Sequence, residues 1–202
     1  MVTSVFTAGL MFVCVPRITS AEGTIIVVGD SLSSGYGLQN ESSWVQILQD
    51  RLNAEDYGYE LINASVPGDT SSGGLARLPR LLEAHSPVMV IIELGGNDGL
   101  RGQPVQQLRE NLREMIRLVQ AVGALPIILG IQIPPNYGSV YTSNFAAIYP
   151  QLSTEFNVPL VEFLMQGVAL NPGLMQADGI HPNEKGNEIM MDNVWMVLEG
   201  LL

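Results

Sequence analysis

The sequence predicts an α/β domain in which helices cover both faces of a five-stranded parallel sheet. Three observations carry that expectation. Short apolar, β-branched runs recur along the chain, as strands buried on both faces require. Segments with helical periodicity separate them, and strand–helix alternation is the signature of parallel crossovers. No repeat, low-complexity tract or linker divides the chain after residue 22, so one domain is expected.

The elements follow in order. Thr24–Gly29 (TIIVVG) is a continuous β-branched strand. Ser42–Asn53 places Trp44, Val45, Leu48 and Leu52 on one helical stripe. Tyr59–Ala64 reads as a strand, Gly74–Ala84 as a helix and Val88–Leu94 (VMVIIEL) as the second strongly apolar strand. Pro104–Val122 is the clearest helix, with Pro104 suited to its first turn and charged residues opposite the apolar stripe. Ile127–Gln132 is a fourth strand, Asn144–Phe156 a helix, Val158–Val161 a fifth strand and Asn183–Leu201 a closing helix. Ligands of such sheets sit beyond the carboxyl ends of the strands, so the chemistry is sought there.

Composition narrows the partners. The 202 residues are 47% apolar and 14% charged, with a net charge of -11. That balance disfavours a nucleic-acid or anionic membrane surface and leaves a small-molecule partner and a monomer as the expectation. The apolar run Val5–Val15 is too short to span a bilayer, and small residues Thr19-Ser20-Ala21 follow it. This predicts a cleaved secretory signal over residues 1–21, a domain over 22–202, and a periplasmic or secreted protein without stable membrane insertion. Cys14 is the only cysteine and falls in that signal, so the mature domain is expected to have no disulfide, thiolate nucleophile or cysteine-ligated metal.

Three strand ends are small, polar and glycine-rich: Gly29-Asp30-Ser31-Leu32-Ser33, Asn63–Asp69 and Gly95-Gly96-Asn97-Asp98. A fourth segment, Asp178-Gly179-Ile180-His181-Pro182, precedes the last helix. Of the two histidines, His85 ends a helix and reads as structural. His181 has Asp178 three residues before it, close enough to fix the imidazole tautomer. By itself that spacing is a weak signal. Ser31 follows a buried strand, where a nucleophile or a plain helix cap are equally at home. Asn97 and the Gly68 N–H could converge with the Ser31 N–H on a tetrahedral oxyanion; turn and cap roles are their bland alternatives.

In order and spacing the four segments resemble the blocks of the SGNH, or GDSL, hydrolase family, and particularly its thioesterase and lysophospholipase branch. The stretch Leu94–Gly102 (LGGNDGLRG), with Ala76–Leu82 and Pro135–Gly138, adds to the likeness, which runs over nearly all of Thr24–Val197. The resemblance implies strand order 2-1-3-4-5. It implies Ser31 as nucleophile, His181 as general base, Asp178 as its orienter, and the Ser31 N–H, Gly68 N–H and Asn97 amide as oxyanion hole. It also implies a mobile loop at Gly99–Gly102, with Gly99, Leu100 and Arg101 near the acyl group. Asp30 and Asp98 read as local turn and cap residues.

No G-x-S-x-G elbow, zinc ligand set or dinucleotide fingerprint occurs, so no cofactor or metal is expected. An acyl group needs apolar walls. The loops expected to supply them are 133–145, with Pro134, Tyr137, Tyr141 and Phe145, and 163–175, with Phe163, Leu164, Met165, Val168, Leu170 and Met175. Methionine-rich walls suit several ligand shapes. The expectation is hydrolysis of medium to long acyl esters and thioesters: aryl esters, acyl-CoA and lysophospholipids. An imidazole base predicts activity rising with pH through about 6–7. Carbohydrate acetyl esters use the same chemistry and stay open as an alternative, as does a binding protein without catalysis.

Overall fold

The structure, a computed structural model, describes residues 23–39 and 42–202; the predicted signal segment and Cys14 lie outside them. Five strands, β1 (Gly23–Gly29), β2 (Tyr59–Asn63), β3 (Met89–Glu93), β4 (Leu125–Leu129) and β5 (Leu160–Val161), form one parallel sheet in the order β2-β1-β3-β4-β5. The helices are α1 (Trp44–Ala54), α2 (Ser71–His85), α3 (Gly96–Leu100), α4 (Val105–Ala121), α5 (Ser139–Ala146), α6 (Ile148–Phe156) and α7 (Glu184–Leu198).

Strand periodicity of two builds two cores from one sheet. Ile26 and Val28 of β1, with Val90 and Ile92 of β3, point into a cluster with α2, α4 and α6. Ile25 and Val27, with Met89 and Ile91, point the other way, against Trp44, Val45, Leu48 and Leu52 of α1 and Met190, Val194 and Leu198 of α7. Continuous apolar strands are thus buried on both faces. Three helices begin on side-chain caps: Ser43, Thr70 and Asn183 accept from the backbone N–H of Gln46, Gly73 and Gly186.

Several boundaries differ from expectation; α2, for one, begins at Ser71 rather than Gly74. The predicted helix 144–156 is two helices, α5 and α6, meeting at Ala147. A continuous helix would bury Pro150 in its interior, where the missing N–H breaks a bond. Restarting at Ile148 puts Pro150 in a first turn, where that N–H has no partner anyway. Strand β4 stops at Leu129 rather than residue 132, freeing Ile131 to leave the sheet. Strand β5 is only two residues long. Among the described residues no helix is long and apolar enough to cross a membrane.

Candidate active site

The carboxyl ends of all five strands open on one cleft of about 730 Å³. Ser31 enters it from the turn after β1, Gly68 from the loop after β2, Asn97 from α3 after β3, Ile131 after β4 and Phe163 after β5. The fourth sequence segment folds back over them. An isolated bridge between Met175 and Pro182, and the Gln176 N–H on the His181 carbonyl at 2.7 Å, hold Asp178 and His181 on a short loop ahead of α7.

Residues 150 apart in sequence then meet. The His181 Nε2 lies 2.9 Å from the Ser31 Oγ, and the His181 Nδ1 lies 2.6 Å from the Asp178 Oδ2. The other carboxylate oxygen of Asp178 accepts the N–H of Ile180 at 2.9 Å and of His181 at 3.0 Å. The imidazole bond foremost, then these backbone donors, hold the Asp178 carboxyl down at about 2. It is therefore an anion at any pH where an imidazole is neutral, and it fixes the Nδ1–H tautomer. With Nδ1 protonated, Nε2 is the free lone pair, and it faces the serine. The Tyr36 ring lines the same cleft and packs on the imidazole, its centroid 4.7 Å from that of His181; no motif or periodicity in the sequence points to it.

Gly68 sits at φ 76° with open space where a Cβ would go, so backbone conformation, not crowding, calls for glycine there. Arg101 donates to its carbonyl at 2.9 Å, tying α3 to the 66–69 turn. The Asn97 amide donates to the Asp30 Oδ2 at 3.0 Å and to the Asp69 carbonyl at 2.9 Å.

Asp30 and Asp98, expected as local turn and cap residues, act across elements. Asp30 keeps a local bond to the Leu32 N–H, but its second oxygen holds Asn97, 67 residues away. Asp98 is buried and accepts from the Ser71 N–H at 2.8 Å and the Ser71 hydroxyl at 2.5 Å, while Asn111 donates to that hydroxyl. This polar knot joins α2, α3 and α4 beneath the cleft.

The acyl-wall expectations divide. Leu100, Pro134, Phe163, Met165, Leu170 and Met175 line the cleft. Gly99, Arg101, Tyr137, Tyr141 and Leu164 are not among its lining residues. Gly99 is buried where a Cβ would strike Ile133 and the Phe145 ring. Leu164, Phe145 and Val168 belong to the cores. The two tyrosines pin the 96–103 segment from outside: Tyr137 donates to the Leu100 carbonyl at 2.9 Å and Tyr141 to the Gln103 carbonyl at 2.7 Å. Their hydroxyls need polar partners, and the backbone carbonyls of that segment supply them. Ile131 and Ile133 complete the apolar wall. Ile131 escaped notice because its apolar run reads as an extension of β4. Among the described residues no group of three His, Cys, Asp or Glu side chains is placed to hold a metal.

A model of the GDSL-like lipase/acylhydrolase family matches residues 27–189. The chain belongs to that family. Within it, the chain is 48% identical over 183 residues to esterase TesA of Pseudomonas aeruginosa, covering 91% of each protein. It is 46% identical over 177 residues to thioesterase 1/protease 1/lysophospholipase L1 of Escherichia coli, covering 88% of this chain and 83% of that one. Among solved structures, a psychrotrophic esterase EstA from Pseudoalteromonas, inhibited by monoethylphosphonate, superposes with a TM-score of 0.85 at 43% identity, over 89% of this chain and 98% of that one. AlinE4, an esterase of the SGNH-hydrolase family, superposes with a TM-score of 0.74 at 35% identity, over 89% of this chain and 96% of that one, and the strand order is the one the sequence blocks led one to expect.

Proposed function

We propose that this acylhydrolase cleaves medium to long acyl esters and thioesters through a covalent acyl-Ser31 intermediate. The observation that carries the reading is the Ser31–His181–Asp178 chain of 2.9 and 2.6 Å contacts, with Ser31 and His181 lining a largely apolar cleft. In the first step His181 Nε2 takes the hydroxyl proton as Ser31 Oγ bonds to the acyl carbon. The carbonyl oxygen becomes an oxyanion, facing the Ser31 and Gly68 N–H groups and the Asn97 amide. The tetrahedral species collapses, the C–O or C–S bond breaks, and His181 returns the proton to the leaving alkoxide or thiolate. Water, deprotonated by His181, then adds to the acyl carbon; the bond to the Ser31 Oγ breaks, His181 returns the proton to that oxygen, and the carboxylic acid leaves.

In the resting site the second Asn97 N–H rests on the Asp69 carbonyl. A full negative charge at the oxyanion position competes better for that donor than a neutral carbonyl does. Replacing Asn97 by Ala is expected to lower kcat by about 10²–10³-fold with KM little changed, since the lost bond forms in the transition state. Steady-state kinetics on one aryl ester checks this.

The wall made by Leu100, Ile131, Ile133, Phe163 and Met165 supports an alkyl chain over a sugar. A saccharide placed there would leave its hydroxyls without partners, at about 1–3 kcal/mol each. The names of the relatives favour aryl esters, acyl thioesters and lysophospholipids as the substrates to try. Export to the periplasm through residues 1–21 belongs to the same reading.

Treatment with a fluorophosphonate tests the nucleophile. The expected result is one adduct per chain, on the peptide carrying Ser31, slowed by a competing long-chain ester. An adduct on another residue, or none, would overturn the assignment.

A further inference from the structure

Two carboxyls that the hydrolytic steps do not consume lie beneath the nucleophile. Glu93 ends β3 and is fully buried. Its Oε2 accepts the Asp30 N–H at 3.2 Å and the Ser33 hydroxyl at 2.7 Å. The Ser33 Oγ in turn accepts the Trp44 indole N–H at 3.2 Å, so its proton is committed to Glu93. The Glu93 Oε1 is buried with no hydrogen-bond partner. Asp30 is 2% exposed; its Oδ1 holds the Leu32 N–H and its Oδ2 the Asn97 amide.

Other charged and titratable groups face this pair. Asp69 and His181 act on Asp30 from the rim, and the buried Tyr149 feels both carboxyls and Asp98. Arg77 of α2 reaches the Gly29 carbonyl but pairs with Asp69. Among the described residues no cation pairs with Asp30 or Glu93. Two buried carboxylates without a cation do not both stay ionised. Oε2 already receives two donors, so the proton belongs on Oε1, the oxygen that otherwise has nothing. Burial, then repulsion from Asp30, pushes Glu93 well above the usual carboxyl range. Burial also raises Asp30, to about 6, against the pull of its Leu32 and Asn97 bonds. Near neutral pH the pair therefore carries one negative charge, on Asp30.

We propose that Asp30, seated on a protonated Glu93, is a positioning residue of the oxyanion hole: its carboxylate holds one N–H of the Asn97 amide, so that the other, which rests on the Asp69 carbonyl in the resting site, is the one that turns to the oxyanion. The neutral Glu93 holds the Asp30 backbone from below and adds no second charge behind the oxyanion. Gly29 makes the seat possible, because a Cβ there would lie 2.7 Å from the Glu93 Oε2. The inference rests on the oxyanion role of Asn97 given above, and its test separates the two.

The test is a double-mutant cycle on the full chain with an aryl ester. Asp30→Asn is expected to lower kcat by about 30–100-fold with KM within about threefold, the usual penalty for a misaimed group. In an Asn97→Ala background the same change is expected to cost less than about threefold, because Asp30 acts through Asn97. If Asn97→Ala leaves kcat unchanged, the oxyanion reading itself fails. If Asn97→Ala is impaired but Asp30→Asn is not, or if the two losses multiply, the positioning role is overturned. A measurement on unsubstituted protein stands beside the cycle in case Asp30→Asn does not fold. With glutamate carboxyls labelled with carbon-13, the NMR spectrum at pH 7 is expected to contain one protonated carboxyl. A spectrum in which every glutamate is ionised at pH 7 would overturn the protonated seat.

Discussion

Replacing Asp178 by Asn is expected to reduce kcat by about 10⁴-fold while leaving KM within a few-fold. Three donors converge on this carboxylate: the Ile180 and His181 N–H groups and the imidazole Nδ1–H. An amide has one oxygen to offer. If that oxygen keeps the two backbone donors, the NH2 group faces Nδ1. The ring must then place its proton on Nε2, where it points at Ser31 and cannot accept. The backbone bonds survive, so the fold is spared and the loss is chemical. Steady-state kinetics on one aryl ester measures it. A loss below tenfold would show that some other group orients His181.

The second large effect is on stability. Ile91 lies on β3, the middle strand of the sheet, with no exposed surface. Ile91→Ala is expected to cost about 2–5 kcal/mol, the transfer of the lost methyl groups plus the cavity they leave. For a chain of this size that lowers the thermal midpoint by about 4–20 °C. Met196 of α7 is 73% exposed, and Met196→Ala is expected to stay within about 0.5 kcal/mol. Urea unfolding of both variants makes the comparison. A shift for Ile91→Ala no larger than that for Met196→Ala would contradict the two-faced core.

Much of this architecture is legible in residue pattern because burial on both sides of a parallel sheet writes uninterrupted apolar runs. Thr24–Gly29 and Val88–Leu94 announce β1 and β3, two of the three interior strands, for that reason. Where tertiary packing decides, pattern fails. Ile131 is as apolar as the strand before it, yet it lines the cleft because β4 ends at Leu129; Ile133 lies in the 133–145 loop expected there. The helix 144–156 reads as continuous until Pro150 is assigned a turn of its own.

The site divides in the same way. Ser31 and His181 are ambiguous singly, and only the ordered set of four segments raised them above a cap and a core histidine. Tyr137 and Tyr141 suited an acyl wall by composition. Their hydroxyls, however, reach carbonyls 37 and 38 residues away, and periodicity carries no information on such bonds. Glu93 lies inside the apolar run Val88–Leu94, and its meaning needs the contacts of Asp30, Ser33 and Trp44. Asp98 was hidden for the same reason, because its partner Ser71 lies on another helix.

One measurement tests serine acyl hydrolysis in this cleft most directly. Purified wild type and Ser31→Ala are compared on aryl esters from acetyl to palmitoyl, with palmitoyl-CoA and lysophosphatidylcholine alongside. The expected result has two parts. Wild-type kcat/KM rises with chain length until the cleft is filled, by up to about fifteenfold per two carbons at roughly 0.8 kcal/mol per buried methylene. Ser31→Ala loses at least about 10³-fold on every substrate turned over. Turnover of acetyl esters alone would hand the site to short acyl groups and the acetylesterase alternative, and a Ser31→Ala variant as active as wild type would remove Ser31 from the chemistry.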